Sequence, residues 1–291
     1  MARAISKVTV VILDLHVHTF YSKGRRIFHD GLASPKQMVK QAKRIGLDGI
    51  SITDHNTTEG WKEARQYGKK YGILIIPGEE IDTVDGHLLA LGIQETIKPG
   101  MILEDTLDEI HEQGGLGIAA HPFDIAGCGL RSFARLTDGL EAFNAMNIDR
   151  VINRKAKRFA RRYSLPVTAG SDAHTTDMLG YGRTEVRAND VDGVLKEIKR
   201  GHTILHERYM PTHVILNYSV ARLKLSYFYL LDYMDHNYKW PKRYVGKKIL
   251  SLVDKSPGTI DYLFRIIAYL GLIAVSSYAM LREFLYLFKE D

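Results

Sequence analysis

His16 and His18 stand two residues apart in "DLHVHT" (14–19), directly after the apolar run Val8-Thr9-Val10-Val11-Ile12-Leu13. Residues two apart on a strand point to one side, so both imidazoles project together from the strand's end. Such a pair can ligate a metal, or it can be ordinary polar decoration of a strand end. The pattern then recurs. "GISIT" leads to Asp54 and His55, "LIIPG" to Glu79 and Glu80, "GIAA" to His121, and "VTAG" to Asp172 and His174. His87 fits less well, because it begins its run instead of following it. Five runs that each end on a His or a carboxylate are hard to reconcile with a purely structural protein, and six of the twelve histidines belong to this set. Imidazole and carboxylate without thiolate suit Zn²⁺, Mn²⁺ or Fe²⁺ better than Ca²⁺.

The elements that would hold these groups are legible as alternating patterns. Short apolar runs at 8–13, 49–53, 73–77, 87–93, 116–120, 140–143 and 166–170 are separated by helix-like stretches. In "SPKQMVKQAKRIGL" (34–47), Ser34 can cap, Pro35 sits in the first turn, and Met38, Val39, Ala42 and Ile45 form one apolar stripe. Repeated β-then-α order with strands apolar on both faces predicts a parallel sheet, and about seven units predict a barrel whose C-terminal strand ends converge on one mouth. The 291 residues suffice for one large α/β domain with an addition.

After about residue 210 the alternation stops, and ten of the sixteen tyrosines fall between Tyr218 and Tyr286. Residues 213–234 and 259–288 read as two long helices interrupted by "NYKWPKRYVGKK" (237–248). The expected division is therefore a barrel at 1–210 and a helical region at 211–291. Sixteen uncharged residues, Ile266 to Leu281, lie between Arg265 and Arg282. That is short of the twenty or so a spanning helix needs. The alternatives are packing on the barrel or a second copy, contact with a membrane surface, and spanning. The net charge of +6 favours an anionic partner only weakly, and the single cysteine, Cys128, excludes an internal disulfide. The N-terminal apolar run is too short for an export signal, so a cytoplasmic protein is expected, peripheral at the membrane if 259–288 meets lipid.

In order along the chain, "DLHVHT", "ITDHN", "IPGEEI", "AAHPF" and "GSDAH" resemble the motifs of the polymerase and histidinol phosphatase (PHP) family, over residues 13 to 205. The resemblance implies a distorted (β/α)7 TIM-like barrel that hydrolyses phosphoesters with a trinuclear metal centre. It implies that His16, His18 and Asp172 hold a first metal and that Glu80 bridges the first and second, with Gly78 setting the register. His87 and His121 then complete the second site, and His55 and His174 serve the third. Catalysis is expected to rest on Glu80, Asp172 and His174. The chain departs from the family where Ser-Asp-Gly usually follows His-x-His: here the residues are Ser22-Lys23-Gly24. "SKGRRIF" reads as an insertion, and Asp30, five residues before Pro35, reads as the displaced ligand. The alternative is that the Lys23 ammonium stands in for the third metal, and His29 is a further candidate. Two or three divalent ions (Mn²⁺, Zn²⁺ or Fe²⁺) are expected.

Asp14 and Asp54 adjoin these ligands and are expected to orient histidines from behind. Glu79 should point away from Glu80, as a surface or supporting residue. Lys23, Arg131 and Arg183 are candidates for substrate phosphate, with solvated surface as the alternative. His111, His202, His206, His213 and His236 read as ordinary, and Cys128 lacks the base a nucleophile needs. The seven basic residues of 150–163 read as a solvated helix face or a polyanion track. The expected activity is phosphoester hydrolysis by a metal-bound hydroxide, on nucleotides or short RNA. Its rivals are a histidinol-phosphate-type phosphatase and a binding or regulatory module with a structural metal site. The expected partners are a phosphorylated small molecule or short nucleic acid, and a second copy or a membrane surface at 259–288.

Overall fold

The structure, a computed structural model, describes residues 8–24 and 27–287. The insertion's Arg25 and Arg26, and Phe288 at the end of the last expected helix, lie outside the described residues. The seven apolar runs form β1 (Val10–Val17), β2 (Gly49–Ile52), β3 (Leu74–Asp82), β4 (His87–Leu91), β5 (Leu116–Ala119), β6 (Gly139–Asn144) and β7 (Val167–Gly170). With β8 (Gly182–Arg187) and β9 (Ile204–Glu207) they make one nine-stranded sheet, ordered β7-β6-β5-β4-β3-β2-β1-β8-β9. The sheet curls until its far strands meet. Thr184 Oγ1 on β8 accepts from Ala169 N (2.8 Å) and donates to Ala169 O (2.9 Å) on β7. Just beyond β7, Ala173 O accepts from His18 N at 2.8 Å. The outcome is a nearly closed α/β barrel.

The expected all-parallel sheet does not form. β1, β2 and β3 run parallel, as do β5, β6 and β7, but β4 is antiparallel to both neighbours and β8 to β1. The reason lies between β3 and β4, where only Thr83–Gly86 intervene. That is a hairpin length, far below what a parallel crossover needs. Reversing β4 places its first residue, His87, opposite Asp82 at the end of β3. The histidine that begins its run therefore reaches the same mouth as the histidines that end theirs.

Helices α1 (Pro35–Arg44), α2 (Trp61–Tyr71), α3 (Leu103–Glu112), α4 (Arg150–Tyr163) and α5 (Val191–Lys199) surround the sheet. Ser34 caps α1 in a reciprocal capping box with Gln37, and Met38, Val39 and Ala42 are buried as the stripe predicts. One apolar cluster joins Leu13, Leu15, Ile76, Leu89 and Ile118 to Val194 and Ile198 of α5. A larger one joins Val17, Ile50 and Ile52 to Met38, Val39, Leu107 and Ile110 beneath the outer helices. Leu15 and Val17, two residues apart, thus belong to different apolar clusters. The pairing of β1 with β2 slips between Asp14 and Val17, the stretch that contains His16, and His16 and His18 both reach the mouth. On α4 Arg150, Arg154, Arg158, Arg161 and Arg162 are exposed, in keeping with a solvated face, while Lys155 lies over Phe123 and Arg150 over Tyr209.

Among the described residues the C-terminal region contains four helices rather than two: α6 (Thr212–Leu225), α7 (Tyr227–Asn237), α8 (Lys242–Val253) and α9 (Ile260–Leu287). The first expected helix breaks at Ser226, which is buried and whose hydroxyl accepts from His29 N at 3.1 Å. The expected interruption shrinks to a few residues, because Pro241 starts α8.

Candidate metal centre

Nine side chains converge at the barrel mouth: His16, His18, Asp30, His55, Glu80, His87, His121, Asp172 and His174. They form four overlapping triads: His16–His18–Glu80, His16–His121–Asp172, His18–Asp30–His174 and His55–Glu80–His87. Glu80 is central. Its Oε2 lies 3.4, 3.2 and 3.3 Å from the Nε2 atoms of His16, His18 and His55. Its Oε1 lies 2.9 Å from His87 Nδ1 and 3.0 Å from His121 Nε2. Asp172 Oδ1 faces His16 and His18 at 3.5 and 3.3 Å. Asp30 Oδ2 is 3.1 Å from His174 Nε2 and 3.8 Å from His55 Nε2. His121 and Asp172 hold left-handed backbone angles (φ 27° and 55°), a local strain of the kind that accumulates at functional sites.

The surrounding hydrogen bonds test whether this donor set suits a cation. His16 Nδ1 donates to Glu141 Oε1 at 3.1 Å. His18 Nδ1 meets Ser22 Oγ at 3.2 Å, and that hydroxyl itself donates to Asp30 Oδ2 at 3.1 Å, so the imidazole is the donor. His174 Nδ1 donates to Asp172 O at 3.0 Å. Each bond fixes the tautomer with a lone pair on Nε2. His16 and His18 then aim two lone pairs at each other, 3.1 Å apart, beside the carboxylates of Glu80 and Asp172. Acceptors facing acceptors in a buried site require a positive charge between them. Divalent cations with nitrogen and oxygen ligands fit; Cys128, half-buried, is not among the nine side chains.

Without a cation, protons compensate. Burial opposes charge on His18, but Asp172 and Glu80 outweigh it and raise its pKa to about 10. Burial likewise opposes charge on His87, and Glu80 with Asp82 raises it to about 11. Glu80, Asp30 and Asp172 are held well below the usual carboxylate range by the histidines, despite burial. Metal binding near pH 8 is therefore expected to release protons and to weaken as pH falls. Calorimetric titration in two buffers of different ionisation enthalpy checks this; identical heats would contradict it.

Glu141 was not singled out in the sequence, although a carboxylate within the apolar run "LEAF" is a visible anomaly. Its Oε2 accepts from His121 N and from Asn144 Nδ2 while Oε1 holds His16. The close approach depends on Gly170, where a Cβ would stand 2.4 Å from Glu141 Oε1 and 2.6 Å from His16 Cβ. Asp82, also unremarked, lies 3.4 Å from His55 Nδ1 and 3.3 Å from His87 Nε2.

Several other residues sit where the sequence did not place them. Asp14 and Asp54 stand behind the cluster through backbone rather than imidazole bonds, Asp14 Oδ1 accepting from His16 N at 3.4 Å. Asp14 accepts from the backbone of Ser171 and Gly180, and Asp54 from the amide and hydroxyl of Thr19, so both brace the segments that carry the ligands. Lys23 is exposed and donates to Phe20 O, away from the cluster. Arg131 is exposed, and Arg183 Nε donates to Gly180 O. The cation that does approach the third triad comes from α6. Arg222 Nη2 lies 2.6 Å from Asp30 Oδ1, its Nε donates to His29 O at 2.9 Å, and Tyr218 OH donates to Asp30 O at 3.1 Å. Gly24 leaves room for this contact, since a Cβ there would stand 2.6 Å from Arg222 Nη2.

Glu79 does point away from Glu80, but it is fully buried rather than at the surface, accepting from Ile97 N at 3.0 Å. Burial raises its pKa from 4.5 to about 7, against the pull of that hydrogen bond. The native state then holds more protons than the unfolded chain between these values, so stability falls as pH rises through that window. At 1.36 kcal/mol per pKa unit the loss is about 3 kcal/mol. Glu79→Gln is expected to lack this loss. Melting curves of both proteins from pH 4.5 to 8 check it; parallel profiles would contradict it.

Fold and site together define a metal-binding α/β barrel. A PHP-associated family model matches residues 152–203. An uncharacterized protein of Methanocaldococcus jannaschii is 38% identical over 146 residues, covering 48% of this chain and 85% of that protein. The 5′-3′ exoribonuclease Rnm of Salmonella typhimurium is 36% identical over 100 residues, 32% of each chain. A two-domain protein of Bacteroides vulgatus containing a predicted PHP-like metal-dependent phosphoesterase shares the fold. Its TM-score is 0.58 at 20% identity, over 72% of this chain and 68% of that one. The chain belongs to the polymerase and histidinol phosphatase family.

Proposed function

We propose that this protein is a metal-dependent phosphoesterase acting on nucleotides or short RNA. The observation that carries the reading is the division of Glu80, one carboxylate oxygen toward His16 and His18 and the other toward His87 and His121. That geometry suits two cations held close together. Bound divalent ions would acidify a water and neutralise charge on the phosphate oxygens. The chain's own groups do the positioning. Glu141 and Ser22 hold the imidazoles of His16 and His18 in the ligating tautomer, and Asp172 and Asp30 supply further negative charge. The nearby hydroxyls are already engaged: Ser22 with Asp30, Thr19 with Asp54 and Ser171 with Asp14. Water as the nucleophile accords with this. The nucleic-acid side of the proposal rests on the likeness to the exoribonuclease, which extends over about a third of each chain.

The test is hydrolysis with Mn²⁺ and after chelation, read as phosphate release from a nucleoside 3′,5′-bisphosphate and a generic monoester and as mononucleotide release from a 5′-phosphorylated short RNA. Metal-dependent turnover favouring the first two supports the proposal. Turnover of the monoester alone would overturn the nucleotide assignment. A metal-loaded, folded protein inactive on all three would overturn the enzyme.

A further inference from the structure

Among the described residues, one stretch is long and apolar enough to cross a membrane, Ile260–Tyr278 of α9, and none of it is buried. The helix is not free on all sides. Phe264 and Ala268 line clefts shared with Leu216 and Val220 of α6, so one face of α9 rests on the protein. The other face carries Leu263, Ile266, Ile267, Leu270, Ile273 and Leu281, each at least 45% exposed. A continuous apolar surface of this kind on a protein in water marks a binding face.

We propose that this face seats α9 along the surface of an anionic lipid bilayer, with the barrel outside it. Three features favour lipid over a second copy or a span. Leu263, Ile266, Leu270 and Ile273 have the spacing of a coiled-coil seam, but the flanking positions Tyr262, Ile267 and Ala274 are uncharged where a coiled coil carries the charges that set pairing, and Tyr269 borders the cleft against α6. The apolar face is thus wider than a seam and covers about half the helix. The sixteen uncharged residues rise only about 24 Å, less than the roughly 30 Å hydrocarbon core, and α6 already occupies one side. Finally, the chain leading into α9 is basic. Lys239, Lys242, Arg243, Lys247 and Lys248 occur beside Trp240, which is 77% exposed; Lys247 and Arg243 share Asp235 as a partner, so the run keeps a net positive charge. Basic residues with an exposed aromatic suit anionic headgroups and the interfacial zone.

The full chain, sedimented with phosphatidylcholine vesicles with and without phosphatidylglycerol, provides the test. Binding is expected to be about tenfold stronger to the anionic vesicles and to weaken with salt. The triple variant I266S/L270S/I273S alters only exposed positions. It is expected to lose most vesicle binding while keeping the parent's metal content and melting temperature. A triple variant that binds vesicles as the parent does, or a parent that binds neither vesicle, overturns the proposal. So does a parent that is dimeric in aqueous solution, does not bind vesicles, and becomes monomeric on the triple substitution. These readouts do not involve hydrolysis and stand apart from the phosphoesterase reading.

Discussion

Replacing Glu80 by glutamine is expected to reduce hydrolysis about 10³-fold and to remove at least one bound metal ion. Charge stabilisation by a bound cation contributes several kcal/mol to such reactions, and 1.36 kcal/mol corresponds to a factor of ten. The glutamine keeps the shape but presents an N–H group to imidazole lone pairs on one side, where Glu80 now faces five histidines within 3.4 Å. The chain without metal should suffer as well. The depressed pKa of Glu80 means that its carboxylate stabilises the folded state above its unfolded value of 4.5, a contribution lost on acidification. Taking the charge away leaves buried histidinium groups without their main partner, which costs about 3–5 kcal/mol at neutral pH. Elemental analysis, turnover and melting of parent and variant decide the matter. A folded variant that kept its ions and its rate would show that Glu80 is not the bridge.

The convergence of these side chains was legible because a barrel converts a one-dimensional rule, a polar residue at the end of each apolar run, into a three-dimensional cluster. His87 broke that rule only because the reversal of β4 is invisible until the four-residue connection is read as a hairpin. β8 and β9 escaped notice for a different reason. "GRTEVR" alternates buried and half-exposed positions, as an antiparallel strand does, and shows no apolar run. Glu141 was hidden inside a run read for its apolar residues. Tyr218, Arg222 and Ser226 were hidden by distance, since they meet residues 29 and 30 from nearly two hundred positions along the chain. Local periodicity carries no information about which helix folds back over which loop. The same contact explains the broken helix: Ser226 ends α6 where its hydroxyl turns to His29.

Asp30→Asn is expected to lower the number of bound ions by one while leaving the Glu80-centred pair in place. Two residues compete for the role of the displaced family aspartate, and the geometry separates them. Asp30 Oδ2 lies 3.1 Å from His174 Nε2, whereas Lys23 is exposed and bonded to Phe20 O. Lys23→Ala should therefore be silent in metal content. Asp30 also answers to a second partner, because its Oδ1 is held by Arg222 at 2.6 Å. Removing the carboxylate leaves Arg222 without its counter-charge. Arg222 is about a quarter exposed and can turn toward water, so the loss should fall near the lower end for a broken buried pair, about 3 kcal/mol. In that variant Arg222 would keep its bond to His29 O and its place over Tyr218 but lose its buried counter-charge. A cycle of Asp30→Asn, Arg222→Ala and the double variant should accordingly be non-additive by about 1–3 kcal/mol. Additive losses, or an unchanged metal count in Asp30→Asn, would detach the helical region from the metal centre and return the third site to two histidines alone.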